Sequence, residues 1–248
     1  MSALLENLGI TIIIDVGKQL FLAIPRAFQN WRFRRFFGSD AVKGDRIFGV
    51  LDPVTHPLPP SSNRYVKRFL GRGEDQPLIG PTDVLGLCSV RVASYASGLF
   101  ARYRPGHKPL AFTIDYDVAT KWDASFICFG SSDSNLKTFD IQSLPGQKFY
   151  AMPFDDHGAR IFTVGGRKFG ITDQVDHGIL LRMKNPWHPD HALFVCAGLG
   201  EWGTSGAAYF LFHNWSSLCW KHGRAYFCKV VRVVHRADES AEEIFSIP

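Results

Sequence analysis

An apolar run at Ala192–Ala197 leads straight into a glycine-rich turn and then into a helix-forming segment, Gly203–Cys219. A continuous apolar run of this length is typical of a strand that is covered on both faces. Glycines at the turn let the following helix pack closely against the sheet. The chain is therefore expected to contain a buried strand followed directly by a helix, the unit from which α/β sheets are built.

The same pattern recurs upstream. A second apolar run, Ala124–Phe129, precedes a small polar loop, and Asp83–Tyr103 has the apolar spacing of a long helix. This alternation predicts an α/β fold with a mixed, mostly parallel, Rossmann-like sheet and flanking helices over residues 39–248. The acidic tail Asp238–Glu243 is expected to be exposed or to form a short helix.

Residues 1–38 read as a separate N-terminal amphipathic helix. Apolar residues repeat every four positions from Leu8 to Phe28, and four arginines interleave with aromatic residues over Arg26–Phe37. Three interpretations are open for residues 1–37: packing on the chain's own domain, packing on a sister subunit, or lying on a membrane surface. A spanning helix is disfavoured because Asp15 and Lys18 interrupt the apolar stretch.

Composition narrows the class of protein. With 248 residues, 46% hydrophobic and 21% charged, the chain is globular. The five cysteines show no CxxC spacing and no signal peptide is recognisable, so we expect a cytoplasmic location, with or without membrane association, and no disulfides. Residues 1–39 carry five cationic and two acidic side chains, which leaves only +2 of the net +5 elsewhere. That balance argues against a nucleic-acid-binding surface.

The glycine-rich turn is the first candidate ligand site. Gly198, Gly200 and Gly203 match the G-x-G-x-x-G spacing of dinucleotide-binding loops, and free amides and hydroxyls at a helix N-terminus favour an anion. Glu201 and Trp202 would crowd a pyrophosphate, however, so tight glycine packing at a strand–helix corner is an equally physical interpretation. The candidate ligand-binding residues of this loop are Gly198, Gly200, Trp202, Gly203, Thr204 and Ser205.

The loop after the second apolar run is the other candidate. Four small polar residues follow Gly130, which is more than helix capping requires. Ligands collect at the carboxyl ends of strands in open α/β sheets, so the two loops would face one crevice if their strands were parallel neighbours. The candidate ligand-binding residues here are Gly130, Ser131, Ser132, Ser134 and Asn135.

Other clusters of titratable residues are weaker indications of a functional site. Asp176 and His177 could form an acid–base pair, whereas His188, Asp190 and His191 lie in a proline-rich segment that reads as a solvated turn. No metal site is expected, and no cofactor can be identified. The motifs of common serine hydrolases, zinc proteases and P-loop proteins are missing from the sequence.

The two loops together, Phe129–Asn135 and Ala197–Ala208, resemble those of a loosely defined group of uncharacterised bacterial α/β domains. The resemblance spans roughly Arg46–Ser240. In that group the domain often follows a helix-turn-helix or membrane-anchoring piece. The resemblance implies a Rossmann-like fold and the position of a site, and it implies no activity.

Three functional hypotheses follow. The first is a binding or sensing module for a small anionic, nucleotide-like ligand, coupled to an N-terminal helix that engages a membrane or an oligomer. The second is a hydrolase or glycosidase acting on a nucleotide-type substrate, with Glu201 or Asp133 as acid–base and with Asp176 and His177 assisting. The third is a structural or interaction protein, in which both loops merely pack.

Overall fold

The computed structural model describes residues 26–43, 46–52, 85–144, 147 and 149–248. The apolar repeat from Leu8 to Ile24 and the start of the helix expected at Asp83 lie outside these residues. Residues 26–37 form helix α1, and Asp40–Lys43 a short helix α2. The longer helices are α3 (Leu87–Tyr103) and α5 (Glu201–His222), and α4 (Leu136–Gln142) is short. None of the described helices is long and apolar enough to cross a bilayer.

Seven strands form the central sheet, in the order β10-β9-β7-β8-β3-β1-β2. Their bounds are β1 Ile47–Leu51, β2 Ala111–Ile114, β3 Ser125–Phe129, β7 Val175–Lys184, β8 Ala192–Gly198, β9 Phe227–Val234 and β10 Ala237–Ile247. A second sheet is antiparallel and contains β4 (Tyr150–Ala151), β5 (Phe162–Val164) and β6 (Arg167–Phe169).

Parallel pairing is confined to one half of the central sheet. Strands β2, β1, β3 and β8 pair in parallel, whereas β7 is antiparallel to both β8 and β9, and β10 is antiparallel to β9. The α/β class and the mixed sheet with flanking helices are therefore confirmed. The expectation of a mostly parallel sheet holds for that half alone.

Two apolar layers cover the central sheet. Helices α1, α3 and α5 pack on one face, where Phe37, Phe100 and Leu211 are fully buried. Helix α4 and the small sheet cover the other face, through Ile141 and Phe162. Every residue of β3 and β8 is buried, as expected for strands with helices or strands on both sides.

The described part of the N-terminal segment belongs to this core. Phe33, Phe36 and Phe37 on α1 have no exposed surface, and the Phe33 ring lies 5.1 Å from that of Phe100 on α3. Arg32 donates to the Ser216 carbonyl on α5. For residues 26–37, the structure thus shows packing on the chain's own domain.

Two sequence expectations differ from the structure. Helix α3 begins at Leu87, because Gly86 has an extended backbone, so residues 85 and 86 are not part of the helix that was expected to run from Asp83. The acidic tail is an edge strand, β10, formed after the two residues between β9 and β10 reverse the chain. Its charges have partners on β9, since Glu242 lies 2.7 Å from Arg232 and Glu243 lies 2.8 Å from Lys229.

Candidate functional site

The carboxyl ends of β1, β3 and β8 lie side by side. Val50 pairs with Cys128, and Phe129 pairs with Cys196, so the two glycine-containing loops follow parallel neighbours. Strands β1 and β8 are followed on one face of the sheet by α3 and α5, whereas β3 is followed on the other face by α4. In this class of sheet the strand ends at such a reversal are the usual location of a ligand, and this edge is called the crevice below.

The loop after β3 is shaped around Gly130. Its φ of +114° suits glycine, and a Cβ there would lie 2.9 Å from Ser134 Oγ and 3.2 Å from Asp52 Oδ2. The Gly130 amide donates to the Cys196 carbonyl at 3.0 Å, which ties the loop to β8. The backbone of this loop therefore runs against the Asp52 carboxylate.

Asn135 fixes the same loop from below. Its buried amide nitrogen donates to the carbonyls of Val50 (3.2 Å) and Phe129 (3.0 Å), and its Oδ1 accepts from the Thr138 amide. The side chain thus links β1 to β3 and caps α4, so its polar atoms are already paired. Ser131, Ser132 and Ser134 are half-buried, and Ser134 Oγ donates to the Ser131 carbonyl at 3.3 Å.

Asp52, the residue after β1, is the acidic group of this crevice. Ser89 Oγ at the start of α3 donates to Asp52 Oδ1 at 3.3 Å. Burial raises the pKa of Asp52 to about 6, and the nearby Asp115 carboxyl adds to the rise, while hydrogen bonds from Ser134 and Ser89 oppose it. The carboxyl is therefore held in a poorly solvated position with hydroxyls as its side-chain partners.

The glycine-rich turn is filled by the protein itself. A Cβ on Gly203 would lie 2.4 Å from the His177 carbonyl oxygen, and one on Gly198 would lie 2.2 Å from the Thr204 nitrogen. On the neighbouring strand, a Cβ on Gly178 would lie 2.2 Å from the Gly203 oxygen. The glycines let α5 approach β7 and β8 closely, which is the packing interpretation of the motif.

An internal carboxylate occupies the amides that an anion would need. Asp176 on β7 is fully buried and accepts from the amides of Gly203 (2.7 Å) and Gly200 (3.3 Å). Burial raises the pKa of Asp176, and these amide hydrogen bonds oppose the rise. Of the hydroxyls expected there, Thr204 is buried and Ser205 donates to Asp238 at 2.6 Å. The amides at the N-terminus of α5 therefore bind the Asp176 carboxylate of the chain itself, in the place where a ligand anion was expected.

One arginine organises the rim between α3 and α5. The Arg91 guanidinium lies 4.0 Å from the centre of the Trp202 ring, 3.2 Å from Asp238 and 3.7 Å from Glu201. The Cys88 thiol donates to the Glu201 carbonyl at 3.4 Å, and burial raises the pKa of Cys88 above its ordinary value. The thiol is thus not poised to ionise.

The four candidate catalytic side chains have different partners. Glu201 pairs with Arg91, and Asp133 pairs with Arg160 at 2.5 Å. His177 Nδ1 lies 2.6 Å from the Gly170 carbonyl, while Asp176 binds the α5 amides. They do not converge on one point, so the acid–base set expected from the sequence is not assembled.

The histidine-rich turn contacts α2 through His191. His191 Nδ1 lies 2.5 Å from Asp40 Oδ2, and Ser125 Oγ donates to the same oxygen at 3.0 Å. The serine thus donates to the aspartate and not to the histidine, so these three residues are not arranged as a catalytic triad. Within the described ranges, no three His, Cys, Asp or Glu side chains are placed to hold a metal.

Comparisons of the chain with protein-family models, with curated proteins and with solved structures find no match.

Asp52, Ser89 and Arg91 are the site residues that sequence reasoning missed. Asp52 does follow an apolar strand, as the two predicted loops do, but with Pro53 it reads as an ordinary turn. Ser89 and Arg91 lie within the long helical pattern. Their proximity to Asp52 and Glu201 follows from the parallel pairing of β1 with β3 and from the packing of α3 beside α5.

Proposed function

We propose that the chain is a small-molecule binding or sensing module, whose ligand lies at the carboxyl ends of β1, β3 and β8. The observation that supports this most is the Asp52 carboxyl, which is poorly solvated yet has hydroxyls as its side-chain partners. A ligand hydroxyl donating to Asp52 would relieve the cost of keeping that charge out of water. The Gly130 backbone lies against this carboxylate, since a Cβ there would lie 3.2 Å from Asp52 Oδ2.

Among the described residues, the charge around the crevice favours a hydroxyl-rich ligand over a phosphate. Asp52, Glu201 and Asp238 all act electrostatically on Cys88, and Arg91 opposes them there. Arg160, beside the loop after β3, is already paired with Asp133. A sugar- or nucleoside-like molecule satisfies this arrangement, since vicinal hydroxyls donate well to a carboxylate at a strand end. A nucleotide would bind with its phosphates directed away from Asp52.

Thermal-shift measurements with matched pairs of compounds test this proposal. The panel contains nucleosides and free sugars, each beside its phosphorylated form. A compound present at about 100 times its Kd stabilises the fold by about 2.7 kcal/mol, a shift of several degrees in Tm. We expect the unphosphorylated member of a pair to stabilise at least as strongly as its partner.

Asp52→Asn is the diagnostic variant, and Asp190→Asn is its matched control. Asp190 is exposed in the loop before β8, at the opposite end of that strand. The shift should disappear in D52N and persist in D190N. A panel without any stabilising compound, or a D52N variant that responds like the parent, would refute the proposal.

A second candidate function is hydrolysis of a glycosidic bond in the same crevice, and one observation favours it. A carboxyl with a pKa of about 6 can donate a proton near neutral pH, as a general acid must. In this version Asp52 replaces Glu201 and Asp133 as the acid. Release of free base or sugar from a stabilising nucleoside, absent in D52N, would support hydrolysis over binding alone.

The structural hypothesis predicts a filled corner and no pocket between the two loops. The corner at Gly198–Ser205 is filled, since Asp176 and the neighbouring backbone occupy it. We infer that this loop shapes the crevice without contributing its amides. The proposed contacts of the ligand are therefore with Asp52, with the Ser131–Ser134 segment and with the rim at Trp202.

A further inference from the structure

Aromatic rings are exposed on the outer side of α1 and at the end of α5. The side chains of Phe28 (46% exposed), Trp31 (53%) and Trp220 (70%) lie next to one another, together with Arg32 and Arg35. These five residues are called the arginine–aromatic patch. The opposite side of α1 carries the buried phenylalanines, so this helix presents aromatic residues both to the core and to the surface.

The side chains of the patch are preorganised by contacts with one another. The rings of Phe28 and Trp31 stack at 5.8 Å, and that of Trp220 lies 6.2 Å from Phe28. The Arg32 guanidinium lies 4.7 Å from the centre of the Trp220 ring, and Arg35 lies 5.4 Å from that of Trp31. Each cation sits within the range in which it is attracted to the ring, so rings and charges hold one another in place.

The charge of this surface is one-sided. The sequence contains no acidic residue between Asp15 and Asp40, whereas Arg26, Arg34 and Arg35 are exposed on α1. Tryptophan and arginine together suit the headgroup layer of a membrane, where an apolar ring body and a charged tip are both accommodated. Anionic phospholipids supply the opposite charge. Phe28 is also the last member of the four-residue apolar repeat that begins at Leu8.

We propose that the arginine–aromatic patch docks the domain on a membrane surface that contains anionic phospholipid. The rings enter the boundary between headgroups and acyl chains, and the exposed arginines of α1, Arg35 and the adjacent Arg34, contact lipid phosphates, while the buried Arg32 holds the Trp220 ring in place. In this arrangement α1 and the end of α5 face the membrane, and no described helix crosses it. This inference is independent of the ligand proposed for the crevice, because none of the residues of the patch contributes to the crevice.

Vesicle co-sedimentation of the full-length chain tests the proposal. Vesicles of phosphatidylcholine alone are compared with vesicles that also contain phosphatidylglycerol, at low and high salt. We expect binding to the anionic vesicles that weakens as salt rises. Replacing Arg34 and Arg35 with Gln should reduce the partition coefficient by about fivefold per arginine, since each juxtamembrane cation contributes about 1 kcal/mol.

The aromatic part is tested by Trp31→Ser with Trp220→Ser, and Trp187→Ser is the matched control. Trp187 is as exposed as Trp31 (54%), but it lies in the loop between β7 and β8. The double variant should lose vesicle binding and the lipid-induced blue shift of tryptophan emission, while W187S keeps both. Unchanged thermal unfolding shows that the double variant still folds.

Three outcomes would overturn the proposal. The first is vesicle binding that is unchanged in both the arginine and the tryptophan variants, and the second is a parent chain that does not bind vesicles. The third is a parent chain that is a dimer in light scattering and a tryptophan variant that is a monomer with the same lipid partitioning, because the patch would then bind a second copy of the chain.

Discussion

Replacement of Asp52 by Asn is expected to stabilise the folded chain, and to do so increasingly as the pH rises from about 4 to about 7. Asn keeps the shape of the side chain and can still accept from Ser89, but it carries no charge. Burial raises the pKa of Asp52 from its ordinary 3.8 to about 6. The folded state therefore holds the Asp52 proton more tightly than the unfolded state does.

The direction and size of the effect follow from this difference. A group whose pKa is raised by folding makes the protein less stable as the pH rises from its unfolded to its folded pKa, and the loss is constant above both. The rise in the pKa of Asp52 corresponds to about 3 kcal/mol at about 1.4 kcal/mol per tenfold. Since Asp52 is half-buried and partly screened by water, we expect about 2 kcal/mol.

Urea unfolding of the parent and of D52N, followed by tryptophan fluorescence across that pH range, gives the difference directly. Titration of every other group largely cancels between the two proteins. The advantage of D52N should grow by about 2 kcal/mol between pH 4 and pH 6.5 and then level off. A flat difference would show that Asp52 is solvated, and a decreasing one would show that a cation pairs with it. Either result refutes the argument from burial.

Three further predictions, made with five substitutions, test the packing on which the site depends. Gly203→Ala should destabilise the fold by about 3 kcal/mol or more in urea unfolding, because its Cβ would lie 2.4 Å from a backbone carbonyl, whereas Gly98→Ala, whose Cβ meets no atom within 4 Å, should stabilise α3 by about 0.5–1 kcal/mol. Equal effects would contradict the packing interpretation. Asp176→Asn should cost about 1–3 kcal/mol at neutral pH, since the charge is lost and an NH2 group replaces one of the two oxygens that accept from backbone amides, and no loss would mean that the amides have another partner. Phe33→Ala should cost about 3–5 kcal/mol and Phe28→Ala much less, in line with their exposure of 0% and 46%; similar losses would place α1 differently.

Local pattern was enough to predict the corner between β8 and α5. The apolar run and the glycines are adjacent in sequence, and the structure has a buried strand, Ala192–Gly198, followed by a helix from Glu201. The local pattern did not predict that the glycine amides bind a carboxylate of the chain itself. Asp176 lies on another strand, and the register that pairs Gly178 with Gly198 brings it to the amides of α5.

Asp52 is another residue whose role depends on contacts between distant parts of the sequence. Its neighbours Ser89 and Ser134 come from different elements, 37 and 82 positions along the chain. No spacing rule connects residues that meet only after β1 pairs with β3. The carboxyl therefore reads as a turn residue until the sheet order is known.

The edge strand β10 was missed for a related reason. A run of acidic residues has low strand propensity and reads as solvent-exposed. Arg232 and Lys229 on β9 supply charges opposite Glu242 and Glu243, and such cross-strand pairs favour the strand. The pairs form only after the chain reverses between β9 and β10.

Backbone chemical-shift mapping by NMR, with a compound that stabilises the chain in the thermal-shift panel, tests whether the ligand lies beside Asp52. We predict that the largest perturbations fall on the amides of residue 52 and residues 130–134, and that they vanish in D52N. Perturbations confined to the groove between α3 and α5 at Tyr95 and His213, a cavity of about 400 Å³, would contradict it.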